Sequence, residues 1–574
     1  MYEKPTIFLQ EACLRHQYIR SKNTSNIVER PERLRAVNVG ISAALSCLET
    51  LRPPDEPKIK QEDNDADDLV AALDKLKIGV PEKASKELCA NINKSTASVN
   101  LLNNPAVKFV HGDVDGDVYL ENLIKWAKES RDAVTKGESE IPLNLPQGDL
   151  YLCPGSLDAI QGALGTICEA VDTVVSSPNR RAFVAVRPPG HHCGEDSPSG
   201  FCFVNNVAVA AAHAHLKHQV RRVVIFDIDL HHGNGTQSIT WQINEETYRQ
   251  KLEADHGAPP PTQPNLQVYY GSIHDVLSYP CEDGKLELIQ AASVSIHGPH
   301  GQYVENIHLQ PYDSEEQFWT ELYEKKYAQV LSKAETFLET TGGTSNDTLV
   351  FISCGFDASE HEYESMSRHG RKVPTSFYHR FALDARRFAD KYSQGRLISV
   401  LEGGYSDRAL TSGAMAHVVG LSQDYDESVD TTWWSLPNLI HLEQATKKRR
   451  GGRPSQTTNN SSSPPPPWLQ RASEIFSTID SAPPVNRPIV APTTMSLRTR
   501  QKAATSQPEA AGDQQAVHDQ GSERDIKEES PQMGSKETSV LKPSTAGNNG
   551  EGASKKLPRV ILKLGRDPRE SAAP

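Results

Sequence analysis

The sequence predicts an α/β protein: a central, mostly parallel sheet with helices on both faces, followed by a disordered tail. Three observations lead there. Five apolar, β-branched runs, at 183–186, 223–226, 268–270, 349–352 and 397–401, alternate with helical patterns such as 207–217 and 314–340. Strands of that kind belong to parallel sheets covered on both faces. Four of the five runs lead directly into clusters of Gly, His, Asp or Tyr, and open α/β sheets build their sites at the carboxyl ends of strands. Near residue 446 the composition turns to Ser, Pro, Gln, Lys, Glu and Gly, including Asn459 to Pro467 (NNSSSPPPP), and cannot bury enough apolar surface to offset its ordering entropy.

Taken in order, 6–9 has a short strand pattern and 33–51 has helical spacing. Residues 53–68 read as an exposed acidic loop, and 118–129 carry the i, i+3, i+4 spacing of an amphipathic helix. Residues 242–265 interrupt the strand–helix alternation and read as a polar surface insertion without chemistry. In the tail, 559–564 (RVILKL) is a candidate strand or docking motif.

Of the chain's 574 residues, those from 446 onward carry about +7 and the rest about −20, for a net charge of −13. An acidic body with a basic tail suits a basic substrate and an acidic partner for the tail; ordinary solubility explains the acidity equally well. Nine cysteines without a CxxC pair, no N-terminal apolar leader and no apolar run near 18 residues point to a reducing, intracellular protein without a zinc finger or membrane partner.

The candidate chemistry lies at the strand ends. The 223–226 run leads into Asp227-Ile228-Asp229-Leu230-His231-His232-Gly233-Asn234-Gly235. Residues two apart on a strand share a face, so Asp229 and His231 can approach one ion together. Their mixed oxygen and nitrogen donors suit a catalytic zinc with an open position, and Asp357, at another strand end, is the best third ligand. His191 and His192 follow Arg187-Pro188-Pro189-Gly190 and serve best as general base and general acid, with Asp227 bonded to one of them. Tyr405, after Gly403-Gly404, is placed to stabilise an oxyanion.

At these residues the chain resembles the zinc-dependent histone deacetylases, within the arginase–deacetylase fold. RPPGHH (187–192), GFCFVNN (200–206), DIDLHHGNGT (227–236), GFD (355–357) and EGGY (402–405) stand in that family's order, with weaker echoes in ERPERLRAV (29–37), KFVHGD (108–113) and YLENLIKW (119–126). The whole looks most like fungal members of the Hos-three type, near class II. The resemblance implies a histone deacetylase catalytic domain over residues 1–440 and a disordered, basic, Ser/Pro-rich tail over 441–574. It implies Asp229, His231 and Asp357 as ligands of one Zn2+, His191 and His192 as the proton-transfer pair, and Tyr405 on the substrate carbonyl. Gly200, Phe201 and Tyr279 would line a tunnel for the lysine methylenes, and Asp227, Asp229, His231 and Ser272 would surround a K+ ion. Two departures stand out: Asn234 replaces the acid that some members pair with the second histidine, and Leu152 stands where some carry a rim aspartate, leaving Asp149 or Asp158 as substitutes.

The implied substrate is acetyl-lysine in histone tails or other proteins, in chromatin and transcription regulation. An acetylpolyamine or small-amide deacetylase would share every catalytic residue. A scaffold on the same fold would tolerate broken ligands, and a ureohydrolase would need a second metal. Lys447, Lys448, Arg449 and Arg450 form a basic cluster that is a nuclear-import signal, a nucleic-acid contact or a solvated linker. The tail is also the candidate contact for a corepressor or chromatin complex, and the nucleus is the expected location, with the cytoplasm as a second.

Overall fold

The structure, a computed structural model, describes residues 4–51, 88–112, 118–259, 265–423, 428–447 and 464–480. Among them, nine strands form one sheet: β1 (Thr6–Gln10), β2 (Asn91–Ser95), β3 (Arg181–Ala185), β4 (Arg222–Asp227), β5 (Gln267–His274), β6 (Ser295–His297), β7 (Tyr303–His308), β8 (Thr348–Cys354) and β9 (Leu397–Leu401). The order is β2-β1-β3-β9-β8-β4-β5-β7-β6. Every pairing is parallel except β6 with β7. The sheet class and its five central runs follow the sequence pattern. The pattern misses β2, β6 and β7, which lie at or next to the sheet edges, where short strands with exposed residues lose the apolar signature.

Two further readings need correction. Residues 242–255 are not an insertion but the second half of a helix, Asn234–Asp255. Its buried Asn244 brackets the backbone of Val268 in β5, donating to the carbonyl at 2.7 Å and accepting from the amide at 2.9 Å. With Thr247, which donates to Leu266 O at 2.7 Å, it ties a mostly exposed helical face to the sheet, and a polar pattern conceals both. The pattern at 314–340 is also broken: a π-helical stretch, Phe318–Tyr327, precedes the α-helix Gln329–Thr341.

The chain does not stop folding at 440. Helix Leu436–Thr446 is followed by helix Leu469–Ile479, which packs on the N-terminal helix Glu32–Leu51. Trp468, Ala472, Ile475, Phe476 and Ile479 are all buried there, at the spacing of a helix face. Arg35 stacks 4.6 Å from the Phe476 ring and pairs with Asp480, and Arg471 pairs with Glu49 at 3.0 Å. Averaging composition over 454–574 hides this short amphipathic segment. Helix Glu32–Leu51 is long and apolar enough to cross a membrane, yet 78% of its most apolar window is buried inside this protein. The acidic loop at 53–68 and the motif at 559–564 lie outside the described residues.

A buried ion network anchors the N-terminal segment beneath the strand ends. Glu29, Arg33 and Arg187 are all 0% exposed. Arg187 pairs with Glu29 at 2.6 Å and donates to the carbonyls of Cys13 and His16 at 2.7 Å, while Arg33 meets Glu29 at 3.0 Å. Burial would raise the Glu29 pKa, but Arg187 and Arg33 outweigh it and hold the carboxyl below the usual range. His16, buried against Tyr151 and bonded to Ser156, is pushed down to about 3 by burial and the Arg187 charge, with Glu29 opposing.

Two outcomes follow. Ile475→Ala should lower unfolding free energy by about 2–4 kcal/mol in chemical denaturation, because the side chain leaves a cavity against a packed helix. A loss below about 0.5 kcal/mol would mean the helix is not docked. A depressed folded pKa means that stability from His16 is complete above pH 6.5 and is lost as pH falls from 6.5 towards 3. The denaturation midpoint should therefore fall between pH 6.5 and 4.5, and His16→Gln should flatten that segment of the profile.

Candidate active site

The parallel register brings the carboxyl ends of β4, β8 and β9 side by side. Asp227 of β4 stands opposite Ser353 of β8 and Ser272 of β5, and Cys354 of β8 stands opposite Leu401 of β9. The turns that leave these ends carry Asp229 and His231, then Asp357, then Glu402 to Tyr405. One ligand atom from each of Asp229, His231 and Asp357 lies within 4.8 Å of the other two, and all three residues are buried. His231 Nδ1 is 2.9 Å from Asp357 Oδ2 and 3.2 Å from Asp229 Oδ1.

These spacings suit one small cation, since ligand atoms about 2.0–2.2 Å from zinc stand roughly 3.3 Å apart. The carboxylates are oriented from behind: Leu230 N donates to Asp357 Oδ1 at 2.8 Å and Gly403 N to Asp229 Oδ2 at 2.7 Å. Burial works against charge on His231, but the two carboxylates lift its pKa well above the ordinary range, so a cation is wanted at this point. Two oxygens and one nitrogen in an oriented set of three fit a catalytic zinc, which keeps one position open. Gly403 is required by proximity: a Cβ there would lie 2.4 Å from Asp357 Oδ2 and 2.5 Å from Asp229 Oδ2.

The histidine pair stands beside this cradle, with ring centroids 4.0 Å apart. Asp227 Oδ2 lies 3.1 Å from His191 Nδ1, and Tyr270 donates to the same oxygen at 3.0 Å. His192 Nδ1 faces Asn234 Oδ1 at 2.8 Å, which assigns the proton to Nδ1 and leaves Nε2 as a base. The two rings are driven apart electrically. Burial disfavours charge on His191, yet Asp229 and Asp227 raise its pKa to about 10. Burial, then the charges of His191 and His231, push His192 well below the usual value. Part of the lift on His191 comes from Asp229 and would shrink with a cation there. A charged and a neutral histidine side by side are equipped for different roles, the neutral ring to take and return a proton and the charged ring to hold positive charge beside it.

Tyr405 is 4% exposed, and burial together with the Asp357 and Asp229 charges keeps its phenol protonated. Arg33 lies 5.1 Å over its ring and donates to Gly404 O at 2.6 Å. From the other side Glu362 accepts Tyr405 N at 2.7 Å and Ser406 N at 2.9 Å. Glu402 accepts from Gly190 N at 2.7 Å, which links the Tyr405 turn to the histidine turn.

Phe201 packs 5.8 Å from Tyr405, and Tyr279 meets His192 edge-on at 4.9 Å while bonding Ser199. Gly200 has φ +49°, and a Cβ on it would lie 2.4 Å from His192 Cδ2. Gly200 and Tyr279 thus lie beside His192, and Phe201 beside Tyr405. Ser272 adjoins Asp227, but its hydroxyl engages His274 Nδ1 at 2.8 Å. Asp158 is taken by Arg15 at 2.8 Å; Asp149 is buried close enough to Tyr279 to affect its acidity, and Leu152 is fully buried. Lys447 is exposed after helix Leu436–Thr446, whereas Lys448, Arg449 and Arg450 lie outside the described residues.

Glu362 and Met366 were missed by the sequence reading. Met366 packs with Val28, Tyr405 and Phe201. Both lie in the irregular 358–373 segment, which carries no periodic signal. Arg33 and Arg187 had a signal, in ERPERLRAV and RPPGHH, but no partner.

An open α/β sheet with an oxygen–nitrogen–oxygen metal cradle and a histidine pair at its strand ends defines a metal-site protein of the hydrolase type. Comparison with known proteins makes the assignment specific. The histone deacetylase domain family matches residues 84–421. Histone deacetylase HOS3 of Saccharomyces cerevisiae is 37% identical over 444 residues, covering 74% of this chain and 57% of that protein. Type-2 histone deacetylase 1 of Dictyostelium discoideum is 27% identical over 51% of this chain and 21% of its own length. Human polyamine deacetylase HDAC10 is 31% identical over 29% of this chain and 22% of its own length. The chain thus spans little more than half of the first relative and less of the others. It belongs to the histone deacetylase domain family.

Gly403→Ala should lower zinc affinity by at least about tenfold in chelator competition, because its methyl group displaces two ligand oxygens. An unchanged affinity would dissociate Asp229 and Asp357 from metal binding.

Proposed function

We propose that this chain is a zinc-dependent deacetylase that hydrolyses the amide of N-ε-acetyl-lysine in proteins, with acetylated histone tails as the first substrate to test. The observation that carries it is the split histidine pair beside Asp229, His231, Asp357 and Tyr405. Zinc, when bound by those three ligands, supplies a Lewis acid that polarises the carbonyl and acidifies a water. His192 Nε2 accepts the proton of the attacking water and returns it to the departing lysine nitrogen as the C–N bond breaks. His191, kept charged by Asp227, steadies the negative charge that develops. Tyr405 donates its hydroxyl proton in a hydrogen bond to the oxyanion, held in aim by Arg33 and Glu362. Phe201 and Tyr279 flank the lysine methylenes. The products are acetate and the free amine.

The same reading includes a K+ ion among Asp227, Asp229, His231 and Ser272, and a setting in chromatin and transcription control. It takes Lys447, Lys448, Arg449 and Arg450 as a nuclear-import or nucleic-acid segment, and the tail as the contact for a larger complex. An acetylated polyamine, whose hydrolysis would use the same catalytic residues, is the second substrate class to test.

Acetate release should be measured on the zinc-loaded chain with an acetylated histone-tail peptide and an acetylated polyamine. Tyr405→Phe should reduce turnover on the peptide about a hundred- to thousandfold with peptide binding kept. Release from the polyamine alone would replace the substrate class, and no release from either would reject the enzyme.

A further inference from the structure

A second group of metal-ligating side chains lies outside the active site. Asp172, on helix Ser156–Ser176, faces His213 and His218, on the last turns of helix Asn206–His218. Their ligand atoms lie within 4.8 Å of one another. The Nε2 atoms of His213 and His218 converge on the same carboxylate oxygen, Asp172 Oδ1, at 2.9 and 2.7 Å. The two rings fan around that point with centroids 6.1 Å apart and planes at 71°. Both imidazoles are largely sheltered, at 14% and 13% side-chain exposure, so they have little rotamer freedom left to lose. Burial also lowers the pKa of His213, which favours the neutral ring that a metal needs.

We propose that Asp172, His213 and His218 form a second transition-metal site, which takes zinc with water completing the shell. Two imidazoles and one carboxylate favour zinc, copper or nickel over magnesium or calcium, which prefer all-oxygen sites. Lys217 is the opposing feature. Its ammonium sits 2.8 Å from Asp172 Oδ2 and weakens the attraction for a dication. It holds the oxygen that the histidines do not use, however, and at 55% exposure it can turn into solvent.

A metal here would staple two helices from the outside. At the far end of helix Asn206–His218, Asn205 and Asn206 donate to Cys193 O and Pro188 O, both at 3.1 Å, beside the histidine turn. The site shares no residue with the catalytic group, so its role is structural, and it stands whether or not the deacetylase reading holds.

The test is zinc content per full-length chain after equilibrium dialysis at micromolar free zinc. Wild type should hold two ions, and His213→Ala/His218→Ala should hold one, with acetate release within twofold of wild type. Asp357→Ala should lose the active-site ion and keep the one at Asp172, which separates failure of one site from failure of the other. Cobalt substitution should show one set of visible bands in Asp357→Ala that the added His213→Ala/His218→Ala change abolishes. No zinc in Asp357→Ala, a His213→Ala/His218→Ala variant that holds as many ions as wild type, or cobalt bands that survive the added change would overturn the proposal.

Discussion

Four carboxylates, those of Asp227, Asp229, Asp357 and Glu402, are 0% exposed at the ends of three adjacent strands. Charge so buried is tolerable only if it is hydrogen-bonded and neutralised. The fold supplies the hydrogen bonds from backbone amides of the turns: Gly403 and His231 to Asp229, Leu230 to Asp357, and Gly190 and His191 to Glu402. The remaining charge falls on His191 and on either a protonated His231 or the cation that takes the place of its proton in the cradle. Burial lifts Glu402 to about 7 and raises Asp357, while nearby histidines hold Asp229 low despite its burial. Metal affinity, the charged state of His191 and the neutral state of His192 are consequences of this one electrostatic problem.

The phenol of Tyr405 depends on a different kind of support. Its turn contains Gly403 and Gly404 and is braced from both sides. Arg33 from the N-terminal helix lies against one side, and Glu362 from the loop after β8 caps the amides on the other. Arg33 is itself held by Glu29, which also holds Arg187 at the root of the histidine turn. Segments more than 300 residues apart in the chain thereby set the relative position of the hydroxyl and the imidazoles. Breaking such a buried pair by removing one member typically costs about 3–5 kcal/mol.

The folded unit is larger than the family match at 84–421. Residues before it supply β1 and the Arg33 helix, and residues after it supply helix Leu469–Ile479, which packs on that helix, with helix Leu436–Thr446 against it. Helix Glu32–Leu51 is wedged between helix Asp407–Ser422 and helix Leu469–Ile479, which is why it is buried nearly all round.

The amino-acid pattern alone determined the sheet class, the five central strands and the position of Asp227, Asp229, His231, Asp357 and Tyr405 at strand ends. Strand period and turn chemistry are local, and a β-branched run followed by Asp, His and Gly declares itself within ten residues. The tertiary structure decided what local pattern cannot encode. It chose Asn234 as the partner of His192 and Asp227 as that of His191, and so made one ring a base and the other a cation. It recruited Glu362, Met366 and Arg33 from irregular or distant segments. It also docked residues 469–479, whose five apolar side chains matter only because helix Glu32–Leu51 offers them a face. Pairing and burial are properties of residues brought together from remote positions, and the energy of a buried charge or an apolar face is defined only by what stands against it.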